Sequence, residues 1–216
     1  MRYAKLVGVA VCALGIVTLA GCSMVPLKPP LATPAGKALP ADKKPEAPVS
    51  RAAQDDYSRA LGAIKAGHDK EAEVFLLAMS RAYPDLSGPR ANLGILYFRL
   101  GRLPEAEQAL NMAIKINPER AAYHNQLGIL YRTTGRFKEA GKEYEKALQL
   151  DPGYANAYLN IGILYDIYLD DLAKALTYYE RYQQLQPQAD KLVTKWIVDL
   201  KQRSQTADKT GKKVSG

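Results

Sequence analysis

Asn92-Leu93-Gly94-Ile95-Leu96-Tyr97 reads NLGILY, and the chain repeats it as QLGILY at 126–131 and as NIGILY at 160–165, at steps of 34 residues. The recurrence reaches well past the hexamer. Gly101 and Gly135, Ala106 and Ala140, Leu110 and Tyr144, Ala113 and Ala147, and Pro118 and Pro152 all pair at the same interval. Within each unit, Leu93, Leu96, Tyr97 and Leu100 keep helical spacing, and so do Ala106, Ala109, Leu110, Ala113 and Ile114, which predicts two amphipathic helices per unit. Gly101 and Gly135 are placed to end the first helix in a left-handed C-cap. Pro118 and Pro152 stop the second. The fold class is all-α.

Leu-Gly, then Tyr, then Ala, a large apolar residue, Ala and Pro at this period resembles the tetratricopeptide repeat. The resemblance implies an α-solenoid of about four helical hairpins over 51–201, with the outer copies degenerate. The first copy, about 53–86, keeps Gly67, Ala72, Leu76 and Pro84 but has Ala60 at the position of the packing glycine. The fourth, about 155–188, keeps Gly162, Tyr165, Ala175, Tyr179 and Pro187 but is one residue longer at Tyr168-Leu169-Asp170-Asp171, where Asp170 is expected to cap the next helix. A last helix, about 189–201, carries Val193, Trp196, Ile197 and Leu200 on one face and would close the open end of the stack, with Trp196 in the core.

Gly94, Gly128 and Gly162 are read as points where the two helices of a hairpin approach closely. Asn92, Gln126 and Asn160 share a helical stripe with Ile95, Ile129 and Ile163 and with Arg99, Thr133 and Ile167. In tetratricopeptide folds this stripe lines a concave groove that takes an extended or helical peptide. Its amides would then meet a client backbone and its isoleucines would supply apolar area. The alternative is that the amides hydrogen-bond to neighbouring helices, as buried amides usually do. The family's carboxylate clamp of Lys, Asn and Arg is matched here only by Asn92. Tyr57, Leu61, Ala122 and Gln126 stand at its other positions.

The first fifty residues differ from the rest. Arg2 and Lys5 precede an apolar run from Leu6 to Leu19 that is short for a bilayer span and the right size for the core of a secretory signal. It ends in Leu19-Ala20-Gly21-Cys22, which resembles the bacterial lipobox. That resemblance implies cleavage after residue 21, acylation of Cys22 and, with Ser23 rather than an aspartate next, transport to the outer membrane. With Cys12 inside the removed segment and Cys22 acylated, no thiol would remain for a disulfide, metal or nucleophile. Residues 22–50 hold seven of the thirteen prolines and read as an extended tether.

The net charge of +8 sits at the ends, since residues 51–200 carry 19 basic and 19 acidic residues. A nucleic-acid groove on the folded body is therefore not indicated. The tail at 202–216 is basic, poor in apolar residues and expected to be disordered. His68 and His124 have no metal-ligand spacing, and no nucleophile motif or phosphate loop is present, so neither an enzyme nor a cofactor is expected. The reading is a lipid-anchored scaffold facing the periplasm that binds a protein or peptide client. It resembles the tetratricopeptide lipoproteins of type IV or Flp-type pilus assembly, with an adaptor for peptidoglycan-remodelling enzymes as the second reading. A sugar-binding or hydrolytic envelope protein would need groove carboxylates and exposed aromatics, which only Asp166 and the Tyr-rich fourth copy suggest.

Overall fold

The computed structural model describes residues 50–214, with side chains through residue 206. The segments at 1–21 and 22–49, and with them Cys22, lie outside the described residues. Four antiparallel hairpins follow one another: α1 (Arg51–Ala66) with α2 (Asp69–Ala82), α3 (Ser87–Arg99) with α4 (Leu103–Ile116), α5 (Ala121–Thr133) with α6 (Phe137–Leu150), and α7 (Ala155–Ile163) with α8 (Leu172–Gln184). A longer helix, α9 (Lys191–Val214), packs on α8. No strand occurs among the described residues, and the expected helical solenoid is observed. None of their helices is long and apolar enough to cross a membrane.

Each hairpin closes on the residues that define the repeat. A Cβ on Gly94 would lie 2.6 Å from Leu110 Cγ, one on Gly128 would lie 2.5 Å from the Tyr144 ring, and one on Gly162 would lie 2.4 Å from the Tyr179 ring. No real side chain fits at those distances. The second helix thus rests directly on the backbone of the first, which is why glycine recurs there. Gly67, Gly101 and Gly135 all have φ between 74° and 78° and end the first helices of their hairpins. In the second and third hairpins the bond that follows is the same: Arg102 N–H donates to Tyr97 O and Arg136 N–H to Tyr131 O, each at 2.8 Å.

The fourth hairpin reaches the same end by another route. Its extra residue is absorbed in a π-helical turn, Leu164–Tyr168, closed by Leu169 N–H donating to Leu164 O at 3.1 Å. Asp171 N–H then reaches Tyr165 O at 3.0 Å, a bond one residue longer than its counterparts. Asp170 does not cap the next helix as expected. It takes the left-handed position with φ 51°, where the other hairpins have glycine, and Asp171 is the N-cap, accepting from Lys174 N–H at 3.0 Å. The shift follows from the insertion, which moves every cap one residue along the chain.

One buried cluster runs through the hairpins, from Ala60, Leu76 and Met79 through Leu93, Leu110 and Leu127 to Tyr144, Ile161 and Leu164. A second joins Ile163, Tyr179 and Tyr182 to Val193, Trp196 and Leu200 of α9, so Trp196 is core, its ring centroid 5.6 Å from that of Tyr179. Where the sequence predicted a helix ending near 201 and then a disordered tail, α9 continues to Val214. The segment KQRSQTADK is free of proline and made mostly of residues with fair to good helix propensity, so an established helix propagates through it.

Candidate functional site

Successive first helices, α3 with α5 and α5 with α7, approach one another more closely than successive second helices do, which bends the stack and sets the first-helix stripe on its inner surface. All nine stripe residues named from the sequence are found on α3, α5, α7 and the π turn. They do not form an evenly exposed groove. Ile95, Ile129 and Ile163 are buried, as are Asn92 and Asn160, whereas Gln126 is half-buried and Thr133 exposed. Ile167 is half-buried against the terminal cluster.

Two of the three amides have internal partners. Asn160 Nδ2–H donates to Asn125 Oδ1 at 2.9 Å, and Asn92 Nδ2–H donates to the Tyr57 hydroxyl and, at 3.1 Å, to Gly88 O. Both cross-hairpin bonds span 35 residues, so each amide reaches the preceding hairpin one position out of step with the repeat. By the same geometry Gln126 would meet residue 91, and that is alanine. The ladder is interrupted there. The Gln126 side chain makes no hydrogen bond to a described residue, while Ser87 and Tyr123 hydroxyls, 2.7 Å apart, join the same two hairpins beside it. Arg99 pairs with Asp69 of α2, and the Thr133 hydroxyl donates back to Ile129 O at 2.9 Å.

Sequence reasoning missed two further arrangements. Arg102 and Arg136 each follow a C-cap glycine and each fork across two hairpins. Arg102 reaches Glu73 at 2.8 Å and Glu105 at 3.0 Å, Arg136 reaches Glu107 at 2.9 Å and Glu139 at 3.2 Å, and their guanidinium carbons lie 4.2 and 4.0 Å from the Tyr97 and Tyr131 ring centroids. The shared signal was Gly-Arg-x-x-Glu-Ala at 101–106 and 135–140. The hydrogen bonds that Arg102 donates to Glu73 and Arg136 donates to Glu107 hold both arginines above their ordinary pKa.

The second arrangement lies where α9 crosses the fourth hairpin. The π turn holds Asp166 buried, and its carboxylate accepts from Arg203 Nη1 at 2.8 Å and from the Tyr179 hydroxyl at 3.4 Å. Burial, then the Asp166 charge and hydrogen bond, push the Tyr179 hydroxyl far above its usual range, with Arg132 and Arg203 opposing. Burial works against the Arg203 charge, yet the acceptors Asp166 and Asp199 keep its pKa raised. No group of three or more His, Cys, Asp or Glu suited to a metal ion occurs among the described residues. His124 is spent on structure, its Nδ1 2.7 Å from Glu143 and its Nε2 3.0 Å from Pro118 O.

Residues 91–155 and 125–190 match the tetratricopeptide repeat family model. No curated protein matches the chain. Among solved structures, that of Pseudomonas aeruginosa pilF is 20% identical with a TM-score of 0.66, over 72% of this chain and 70% of that one. The MamA RS-1 ArsTM double mutant is 21% identical with a TM-score of 0.62, over 77% and 94%. YrrB, a TPR protein with an unusual peptide-binding site, is 25% identical with a TM-score of 0.54, over 66% and 72%. With the repeat geometry above, these likenesses identify residues 91–190 as tetratricopeptide repeats and the described chain as a solenoid of that fold.

Proposed function

We propose that the protein is a lipid-anchored scaffold on the periplasmic face of the outer membrane, docking a protein client during assembly of an envelope complex of the pilus or secretin kind. Gln126 carries the interaction half of this reading. It is the one amide of the inner stripe among the described residues without an internal partner, and it stands midway between two that have one. A half-exposed amide there offers both a donor and an acceptor to a peptide backbone laid along the first helices, with Thr133 one face-length away. YrrB shows that a protein of this fold can carry a peptide-binding site. The address rests on the sequence alone: basic start, apolar run and Leu19-Ala20-Gly21-Cys22 in that order.

One experiment addresses both halves. A photocrosslinking amino acid placed at position 126 should capture an envelope-assembly component in intact cells, and Cys22→Ala should abolish fatty-acid labelling together with that crosslink. Undiminished labelling of Cys22→Ala would refute the anchor. Crosslinks confined to cytosolic proteins, or to peptidoglycan-remodelling enzymes, would remove the proposed client.

A further inference from the structure

The three junctions between hairpins are built from equivalent positions, and one of them is left open. At the second junction the outer surface is filled by Ile114 and by the His124–Glu143 pair, 2.7 Å apart. At the third it is filled by Leu148 and by the rings of Tyr158 and Tyr178, whose centroids lie 6.3 Å apart, with Arg181 over Tyr158. The first junction has Ser80, Arg90 and Ala109 at those positions. The small side chains of Ser80 and Ala109 leave a cavity of about 310 Å³ between α2 and α4, floored by Leu93 and Tyr97 of α3 and rimmed by Met112. Met112 is 45% exposed, and the buried Ser80 hydroxyl has no hydrogen-bond partner.

We propose that this outer cavity is a second docking site, distinct from the inner stripe, which takes an aromatic side chain followed by a carboxylate from a peptide segment of another protein. The aromatic is argued from the third junction, where Tyr178 stands at the position of Ala109 and supplies from within what the first junction lacks. A cavity at the lower end of ligand-pocket volumes admits a single ring, and a methionine rim adapts to it. The carboxylate is argued from charge. Arg90 donates only to the carbonyl oxygens of Ser80, Pro84 and Leu86, and neither it nor Arg81 forms an ion pair with a described carboxylate. Glu105, which also borders the cavity, is already held by Arg102 at 3.0 Å. Residues 22–50 and 201–216 of this chain do not fit, because they contain no Phe, Tyr or Trp and are net basic.

The probe is a fluorescein-labelled peptide carrying Phe-Asp-Glu, titrated against the full chain by anisotropy, with the Met112 methyl resonance locating the contact. Replacing Phe by Ala, or Asp-Glu by Lys-Lys, should weaken binding about tenfold or more, the order expected for one buried aromatic or one charge-assisted contact. Ser80→Ile and Ala109→Glu, which install the residues of the second junction, should each do the same without lowering the melting temperature. The proposal is overturned if the Phe and Ala peptides bind alike, if the Met112 methyl does not shift, or if folded variants bind as the parent does. A concentration-dependent dimer that Ser80→Ile abolishes would also overturn it, by giving the cavity to a second copy. Should either variant fold poorly, the peptide controls still decide the outcome.

Discussion

Asn160 and Gln126 occupy the same position of the repeat and differ in what stands 35 residues earlier, an asparagine for one and an alanine for the other. That single difference separates a structural amide from an available one. Asn160→Ala strands the Asn125 carbonyl oxygen in a buried site and should cost about 1–3 kcal/mol of stability. Gln126→Ala removes no internal bond and should change stability by less than about 0.5 kcal/mol. Denaturant melts of the two variants decide the matter, and equal midpoints would contradict the division of roles. The sequence placed all three amides on one face through helical periodicity, and there its power ended. Aligning repeats compares residues 34 apart, whereas the bonds run between residues 35 apart, so the polar partner never appears in the column being read. The packing glycines show the opposite case: their close contacts lie within one hairpin, in register, and Gly94, Gly128 and Gly162 could be assigned from spacing alone.

The fourth hairpin shows how an element absorbs a change that pattern reading detects without resolving. One extra residue between Gly162 and Ala175 was visible in the count. Whether it would lengthen the loop or widen the helix depends on where buried contacts hold the chain. Tyr165 O still accepts the closing bond, and Asp166 lies inside the widened turn facing α9. The continuation of α9 gives this carboxylate its counter-ion, which a tail read as disordered could not supply. A chain ending after Thr206 keeps Arg203 and its pair with Asp166 and should therefore melt like the full chain. One ending after Gln202 loses Arg203 and leaves the buried Asp166 without that ion pair. Because the Arg203 side chain is 35% exposed, the expected loss is about 1–3 kcal/mol, below that of a fully buried pair. Asp166→Asn in the shorter chain should restore part of it, as a neutral amide needs no counter-ion. Identical midpoints for the two truncations would show that the Arg203–Asp166 pair does not hold α9 in place.

Across the whole stack the junctions are unequal, and so are the ends. The first two junctions each carry an arginine fork between second helices, while at the third Asp171 replaces the arginine and pairs locally with Lys174, and the rings of Phe137 and Tyr168 meet across it with centroids 4.8 Å apart. The far end is sealed by Val193, Trp196 and Leu200 of α9. Among the described residues the near end has no such cover: Val74 on α2 is 64% exposed, and Gly62 on α1 has open space beside its backbone. In a solenoid each hairpin is stabilised by its neighbours, so the uncovered end opens first. Native-state hydrogen exchange should accordingly find the amides of α1 opening with a free energy on the order of 1–2 kcal/mol below those of α3 to α6, with α7 and α8 close to the interior value because α9 covers them. Truncating after residue 188 should then bring α7 and α8 down to the level of α1 while leaving α3 and α4 nearly unchanged. Uniform protection along the chain would contradict an end-to-end gradient and require the four hairpins to unfold as a single cooperative unit.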